Sequence, residues 1–165
     1  MLSRLRLRSL SALAFVALTA SASCGGDVTG TTVAPPASVP ANETYAASLG
    51  VNLAAMTKVN DNLYTQDLTV GTGVVTVNNH STSVFYTGWL VNGTQFQTNV
   101  GGTPLPFVLG TGAVIPGWDQ GLLGMRVGGT RLLVVGSTLG YGAAGSGTIP
   151  PSVTLVFKVQ LTAVQ

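Results

Sequence analysis

From Leu63 to the C-terminus the chain alternates short apolar runs with turn residues. Leu63-Tyr64-Thr65 and Leu68-Thr69-Val70 bracket one strand region, and Gly71-Thr72-Gly73 turns the chain into a second short strand at residues 74–77. A longer strand follows in Ser83-Val84-Phe85-Tyr86-Thr87-Gly88-Trp89-Leu90. Asn92-Gly93 is a strong hairpin signal, so residues 94–98 are expected to pair back on it. Residues 105–109, 130–135 and 153–164 complete the strands. Helical spacing marks the segment 116–124, where Ile115, Trp118 and Leu122 share one face. Pro116 suits the first turn, because its missing N–H would go unpaired there anyway. These elements predict an α+β domain over residues 63–165, an antiparallel sheet with one short helix against it. The Gly- and Pro-rich stretch 136–152 is a long loop, and loops of that length are usually functional or disordered.

The N-terminal part has a different pattern. Arg4, Arg6 and Arg8 precede the apolar stretch 10–20 and the small residues Ser21-Ala22-Ser23. That is the layout of a secretory signal over residues 1–23, with an apolar run too short to span a bilayer. Residues 24–42 are Gly, Thr, Val, Ala, Pro and Ser without periodicity and read as a flexible tether. Residues 43–62 hold Tyr45, Leu49, Val51, Leu53 and Met56 among alanines, an N-terminal extension with one or two short helical turns on the domain edge.

Charge changes little in this picture. Charged residues make up 7% of the chain, and three of the arginines lie in the signal. Beyond it Lys58, Arg126, Arg131 and Lys158 face Asp27, Glu43, Asp61, Asp67 and Asp119, so no basic patch for nucleic acid remains. One cysteine and one histidine exclude an internal disulfide and a Cys/His zinc site, and no metal or cofactor is expected. His80 sits in the polar turn Asn78-Asn79-His80-Ser81 and is assigned no chemistry. Trp118, taken alone, reads as a core residue.

Two resemblances add chemistry. Ser21-Ala22-Ser23-Cys24 resembles the lipobox of bacterial lipoproteins, with Ser21 where an aliphatic is usual. It implies lipidation of Cys24 and a membrane anchor in the cell envelope, with Gly25 favouring the outer membrane; cleavage after Ala22 would instead leave a soluble secreted or periplasmic protein. The domain resembles the FKBP-type peptidyl-prolyl isomerases through Val84-Phe85-Tyr86-Thr87-Gly88-Trp89-Leu90, Gly93-Thr94-Gln95-Phe96, Phe107-Val108-Leu109-Gly110, Val114-Ile115-Pro116-Gly117-Trp118, Tyr141-Gly142, Ile149-Pro150-Pro151 and Thr154-Leu155-Val156-Phe157. These motifs lie in family order at near-family spacing.

The resemblance implies a bent antiparallel sheet wrapped around one short helix, and a rotamase acting on X–Pro bonds of proline-containing polypeptides. By position, Trp118 is the floor of a proline pocket, and Tyr86, Phe96, Val114, Ile115 and Phe157 are its walls. Tyr141 hangs over the rim with its hydroxyl, Ile149 belongs to the flap, and the Ile115 N–H is a second donor. The chain departs from the family at Gln97, where an Asp is usual, and at residues 100–102, a shortened loop without the partner Arg. Leu105 replaces an aromatic in the wall. The main expectation is a monomeric enzyme assisting folding in the envelope. The alternative is an FKBP-like domain of low activity that binds peptides or a partner.

Overall fold

The computed structural model describes residues 34–165. The expected signal, Cys24 and the tether up to residue 33 lie outside the described residues. The described residues form seven strands and one α-helix, in chain order β1 Thr57–Asn60, β2 Leu63–Thr69, β3 Ser81–Leu90, β4 Gln95–Thr98, β5 Leu105–Val108, α1 Pro116–Gly121, β6 Thr130–Val135 and β7 Leu155–Val164. All strand pairs are antiparallel, in the order β1-β2-β6-β7-β3-β4, with β5 also on β3. The expected sheet-and-helix architecture is present.

Alternation decides which residues meet the helix. On β3, Thr82, Val84, Tyr86 and Gly88 are buried while their neighbours are half-exposed or exposed. On β6 the run Leu132-Leu133-Val134-Val135 is buried throughout, because both of its faces are covered. Leu133 and Val135 join the core around Trp118, Leu122, Phe157 and Leu161. Leu132 and Val134 face the other way, into a second cluster with Met56, Tyr64 and Val156. Tyr45, Leu49, Val51 and Leu53 of the N-terminal extension close that second cluster. The extension is therefore a cover for the outer side of the sheet rather than an edge decoration.

Close approach of α1 to β6 depends on two glycines. A Cβ at Gly117 would stand 2.4 Å from Val135 Cγ1, and one at Gly121 would stand 2.4 Å from Leu133 Cδ2. The helix C-terminus is fixed by a cation on the next strand. Arg131 on β6 donates from Nη1 to the carbonyls of Gly121 and Leu123, at 2.8 and 3.0 Å. Its other edge holds both carboxylate oxygens of Asp67 on β2, at 2.7 and 3.0 Å. Last-turn carbonyls lack intrahelical partners, and an arginine fork satisfies them.

Three expectations need correction. Residues 74–77 form no strand: Val75 makes one bridge to Arg126, and Thr76 binds the loop after α1 through its N–H to Met125 O and its hydroxyl to Leu122 O. The β-branched run Val74-Val75-Thr76-Val77 reads as a strand, but its partner is a loop. The extension holds the expected short helical turns, 3-10 in form, at Ala47–Leu49 and Leu53–Ala55, but then strand β1, which the sequence reading lacked; a further 3-10 turn, Pro40–Asn42, lies in the tether range. The sequence Thr57-Lys58-Val59-Asn60 carries no alternation and is exposed along its length. Finally, the described end of the tether is held against the domain: Pro40 is buried, and Tyr45 donates its hydroxyl to Pro40 O at 2.7 Å.

Candidate active site

Strand β3 pairs with β7 along one edge but with two short strands along the other. Thr87, Gly88 and Trp89 face β4, and residues 81–84 face β5. Between them β3 lacks a strand partner at Tyr86, and Asn99 fills the gap. Its Oδ1 accepts from the Tyr86 N–H at 2.7 Å, and its Nδ2 donates to Val84 O and Thr103 O, both at 3.1 Å. This side chain replaces ladder hydrogen bonds and fixes the loop between β4 and β5.

A cavity of about 380 Å³ opens at this split, between α1 and the sheet. Its lining is Tyr86 from β3, Gln97 from β4, Leu105 from β5, Ala113, Val114 and Ile115 from the approach to α1, Trp118 from α1, Tyr141 from the long loop, and Phe157 from β7. No charged side chain, histidine or cysteine lies among these residues. Six chain segments, spread from β3 to β7, meet here, which is why no local pattern announces the cavity.

Trp118 is 3% exposed and sits among three rings. Tyr86 meets it edge-on with centroids 4.9 Å apart, Phe157 edge-on at 5.4 Å, and Phe107 tilted at 5.9 Å. Such edge contacts follow from the ring quadrupole. Its Nε1 is covered and has no acceptor among the described residues, so packing rather than hydrogen bonding holds the indole. Phe157 in turn takes the edge of Phe96 at 5.7 Å. Gly88, opposite Phe157 in the β3–β7 register, makes room for that pair: a Cβ there would stand 2.5 Å from Phe96 Cζ and 3.0 Å from Phe157 Cε1.

The rim before α1 is held by Asp119. Its carboxylate accepts the N–H groups of Gly110 and Gly112 at 2.8 and 2.9 Å. This clamps the loop that carries Ala113 and Val114 onto the helix. Ile115 stands at the N-cap, where backbone N–H groups have no intrahelical acceptor. Burial raises the Tyr86 hydroxyl above its ordinary pKa, helped by the charge Tyr141 would carry, and burial alone raises Tyr141. Both phenols therefore keep their protons and remain donors through neutral and mildly alkaline pH.

Of the residues singled out in the sequence, Tyr86, Gln97, Leu105, Val114, Ile115, Trp118, Tyr141 and Phe157 are brought together around one cavity. Phe96 and Ile149 are not among its lining. Phe96 backs Phe157 from β4, and Ile149, on the long loop itself, is 7% exposed with its side chain in the core. The sequence reading missed Ala113, Asn99 and Gly88. A glycine inside an otherwise apolar strand signals close approach of another group, so Gly88 was detectable. Asn99 was not, because its partners are backbone atoms of another strand.

A family model described as FKBP-type peptidyl-prolyl cis-trans isomerase matches residues 74–162. Curated relatives include the FK506-binding protein of Neisseria meningitidis serogroup A, 48% identical over 101 residues that cover 60% of this chain and 93% of that one. FK506-binding protein 2 of Yarrowia lipolytica is 52% identical over 84 residues, covering 50% of this chain and 58% of that protein. Among solved structures, FkpA from Escherichia coli superposes with a TM-score of 0.62 at 37% identity. That match covers 67% of this chain but only 51% of FkpA. The peptidyl-prolyl isomerase from Pseudomonas syringae superposes with a TM-score of 0.62 at 33% identity, covering 72% and 86% of the two chains.

Proposed function

The chain belongs to the FKBP-type peptidyl-prolyl cis-trans isomerase family and acts on X–Pro bonds of proline-containing polypeptides, and from that premise we propose how this cavity turns them. The observation that carries the reading is a pocket of about 380 Å³ lined by apolar and aromatic side chains, with hydroxyls at Tyr86 and Tyr141 and an amide at Gln97. The proline ring lies on Trp118, between Tyr86 and Phe157, with Val114 and Ile115 on one side and Leu105 on the other. Phe96 supports Phe157 from behind, and Ile149, on the same loop as Tyr141, anchors that loop in the core.

Amide resonance sets a barrier of about 18–20 kcal/mol to rotation. The planar amide is charge-separated and the twisted one less so. Transfer from water into this apolar pocket therefore raises the planar form more than the twisted form. Tyr141 donates its hydroxyl to a substrate carbonyl and the Ile115 N–H donates to a second one, which fixes the chain on both sides of the turning bond. A ten-thousandfold gain needs only about 5.5 kcal/mol, within reach of desolvation plus two positioned donors. No bond breaks, so no nucleophile is needed. Gln97 presents a neutral amide where an acidic side chain would favour cationic peptides.

The test is Tyr141→Phe, which deletes one hydroxyl and keeps the ring. One neutral hydrogen bond is worth about 0.5–1.5 kcal/mol, so kcat/KM should fall roughly three- to tenfold while the melting temperature stays within about a degree. Unchanged activity, or a parallel loss of stability, would remove Tyr141 from the rim role.

We also place the enzyme in the cell envelope as a monomer, held at the membrane by lipid on Cys24, with unfolded envelope proteins as its clients. The positive, apolar and small-residue order of residues 1–23 supports export, and the lone cysteine directly after them supports acylation. Mass spectrometry of the mature N-terminus should find acylated Cys24; an unmodified Ser23 terminus would contradict it.

A further inference from the structure

We propose that residues 35–40 form a strap that positions Tyr141, with Ser38 as its fastening point. The proposal rests on the rim role of Tyr141 given above. The long loop that carries Tyr141 begins after β6 and ends before β7, and four backbone hydrogen bonds close a ring across its base. Ser38 N–H donates to Ser152 O at 3.2 Å, Ser152 N–H to Gly142 O at 2.8 Å, Gly142 N–H to Ser137 O at 2.8 Å, and Ser137 N–H to Ser38 O at 3.1 Å. Ser38 thus bridges both ends of the loop, and Gly142, the residue next to Tyr141, is the fourth corner.

Side chains reinforce the ring. The hydroxyls of Ser38 and Thr154 lie 2.8 Å apart, Ser152 Oγ donates to Pro35 O at 2.8 Å, and Ser137 Oγ donates to Ser38 O at 3.3 Å. Ser137, Ser152 and Thr154 are all buried, so these partners satisfy polar atoms that water does not reach. Ser152 also has a φ of 55°, a left-handed conformation that a non-glycine residue holds only where its surroundings impose it. The strap holds it from both the carbonyl side, through Ser38 N–H, and the hydroxyl side, through Pro35 O. Pro35, Pro36 and Pro40 restrict the strap before it docks, which lowers the entropy lost on ordering.

Long loops are the first parts of a fold to open, and a small displacement of a positioned donor is enough to slow a reaction. Closing the ring therefore bears on rate rather than on the sheet. Tyr141 sits on one corner of it, and residues upstream of the catalytic domain set how well that corner is held.

The experiment is a double-mutant cycle in the full chain, read as kcat/KM on a short X–Pro peptide well below the melting temperature. Ser38→Pro deletes both the N–H and the hydroxyl. It should lower kcat/KM about three- to tenfold and speed amide exchange at Gly142, with exchange in β3, β6 and β7 unchanged. Ser38→Thr keeps both groups and should stay within about twofold of wild type. In the Tyr141→Phe background, Ser38→Pro should have little further effect, because the group it positions is already gone. Equal losses in both backgrounds would overturn the proposal, as would a Ser38→Pro enzyme of wild-type activity beside an impaired Tyr141→Phe. A Tyr141→Phe enzyme of full activity would instead overturn the rim role from which the strap takes its meaning. If Ser38→Pro does not fold, deletion of residues 34–38 from the full chain is read by the same outcomes.

Discussion

Trp118→Ala is expected to cost about 3–5 kcal/mol of stability, the range for removing a large buried aromatic. The indole is 3% exposed and touches the rings of Tyr86, Phe107 and Phe157. No neighbour can move in to fill the space. Phe157 is fixed in β7 between β3 and β6, and Tyr86 has its N–H tied to Asn99. The void would open directly into the cavity and remove its floor. Activity per folded molecule, measured at low temperature, should therefore fall by more than about tenfold. Thermal unfolding beside a peptide assay checks both effects. A variant that melts near wild type and turns peptides at the wild-type rate would show that Trp118 is neither floor nor core.

Gly88→Ala is expected to damage the same pocket by adding atoms instead of removing them. The new Cβ would stand 2.5 Å from Phe96 Cζ, 2.8 Å from Phe96 Cε2 and 3.0 Å from Phe157 Cε1. Real Cβ contacts are not that short, so a ring must move. Phe157 is 2% exposed and wedged against Trp118, whereas Phe96 is half-exposed on the four-residue strand β4. Phe96 gives way first, and Phe157 then loses the ring behind it. Overpacking of this kind costs about 1–3 kcal/mol. Turnover should fall with it, because Phe157 lines the cavity. The second change Phe96→Leu should recover part of the lost stability in the Gly88→Ala background, while costing stability on its own. Simple additivity of the two changes would show that the strain lies elsewhere.

These two positions illustrate what could be read from the chain. Trp118 stands out in the sequence as a large aromatic at helical spacing behind Pro116, and the family resemblance of the motifs around it implies a pocket. Strands β3, β6 and β7 were legible because their burial pattern follows their own sequence. Gly88 interrupts an apolar strand, but the contact it permits joins two other strands and is invisible in its own segment. The errors share a cause. Residues 74–77 are all β-branched, as strands often are, yet they pair with a loop. Strand β1 has no alternation, yet it pairs with β2 because the extension brings it there. Residues 35–40 looked like free linker because proline and serine say nothing about a distant acceptor. The hydrogen bonds of Asn99 and the Arg131 grip on α1 also depend on tertiary placement, which local patterns do not encode.

The central claim is that an uncharged pocket between α1 and the sheet turns X–Pro bonds by desolvation and positioning. Exchange NMR on a short X–Pro peptide with the folded protein, repeated from about pH 6 to about pH 9, tests it most directly. Burial raises both phenols that line the cavity, so neither titrates in that window, and no other lining side chain is ionisable. The account predicts accelerated cis–trans exchange at a rate that stays flat across the window. Exchange no faster than for the peptide alone, or a rate that follows a titration within it, would contradict the account.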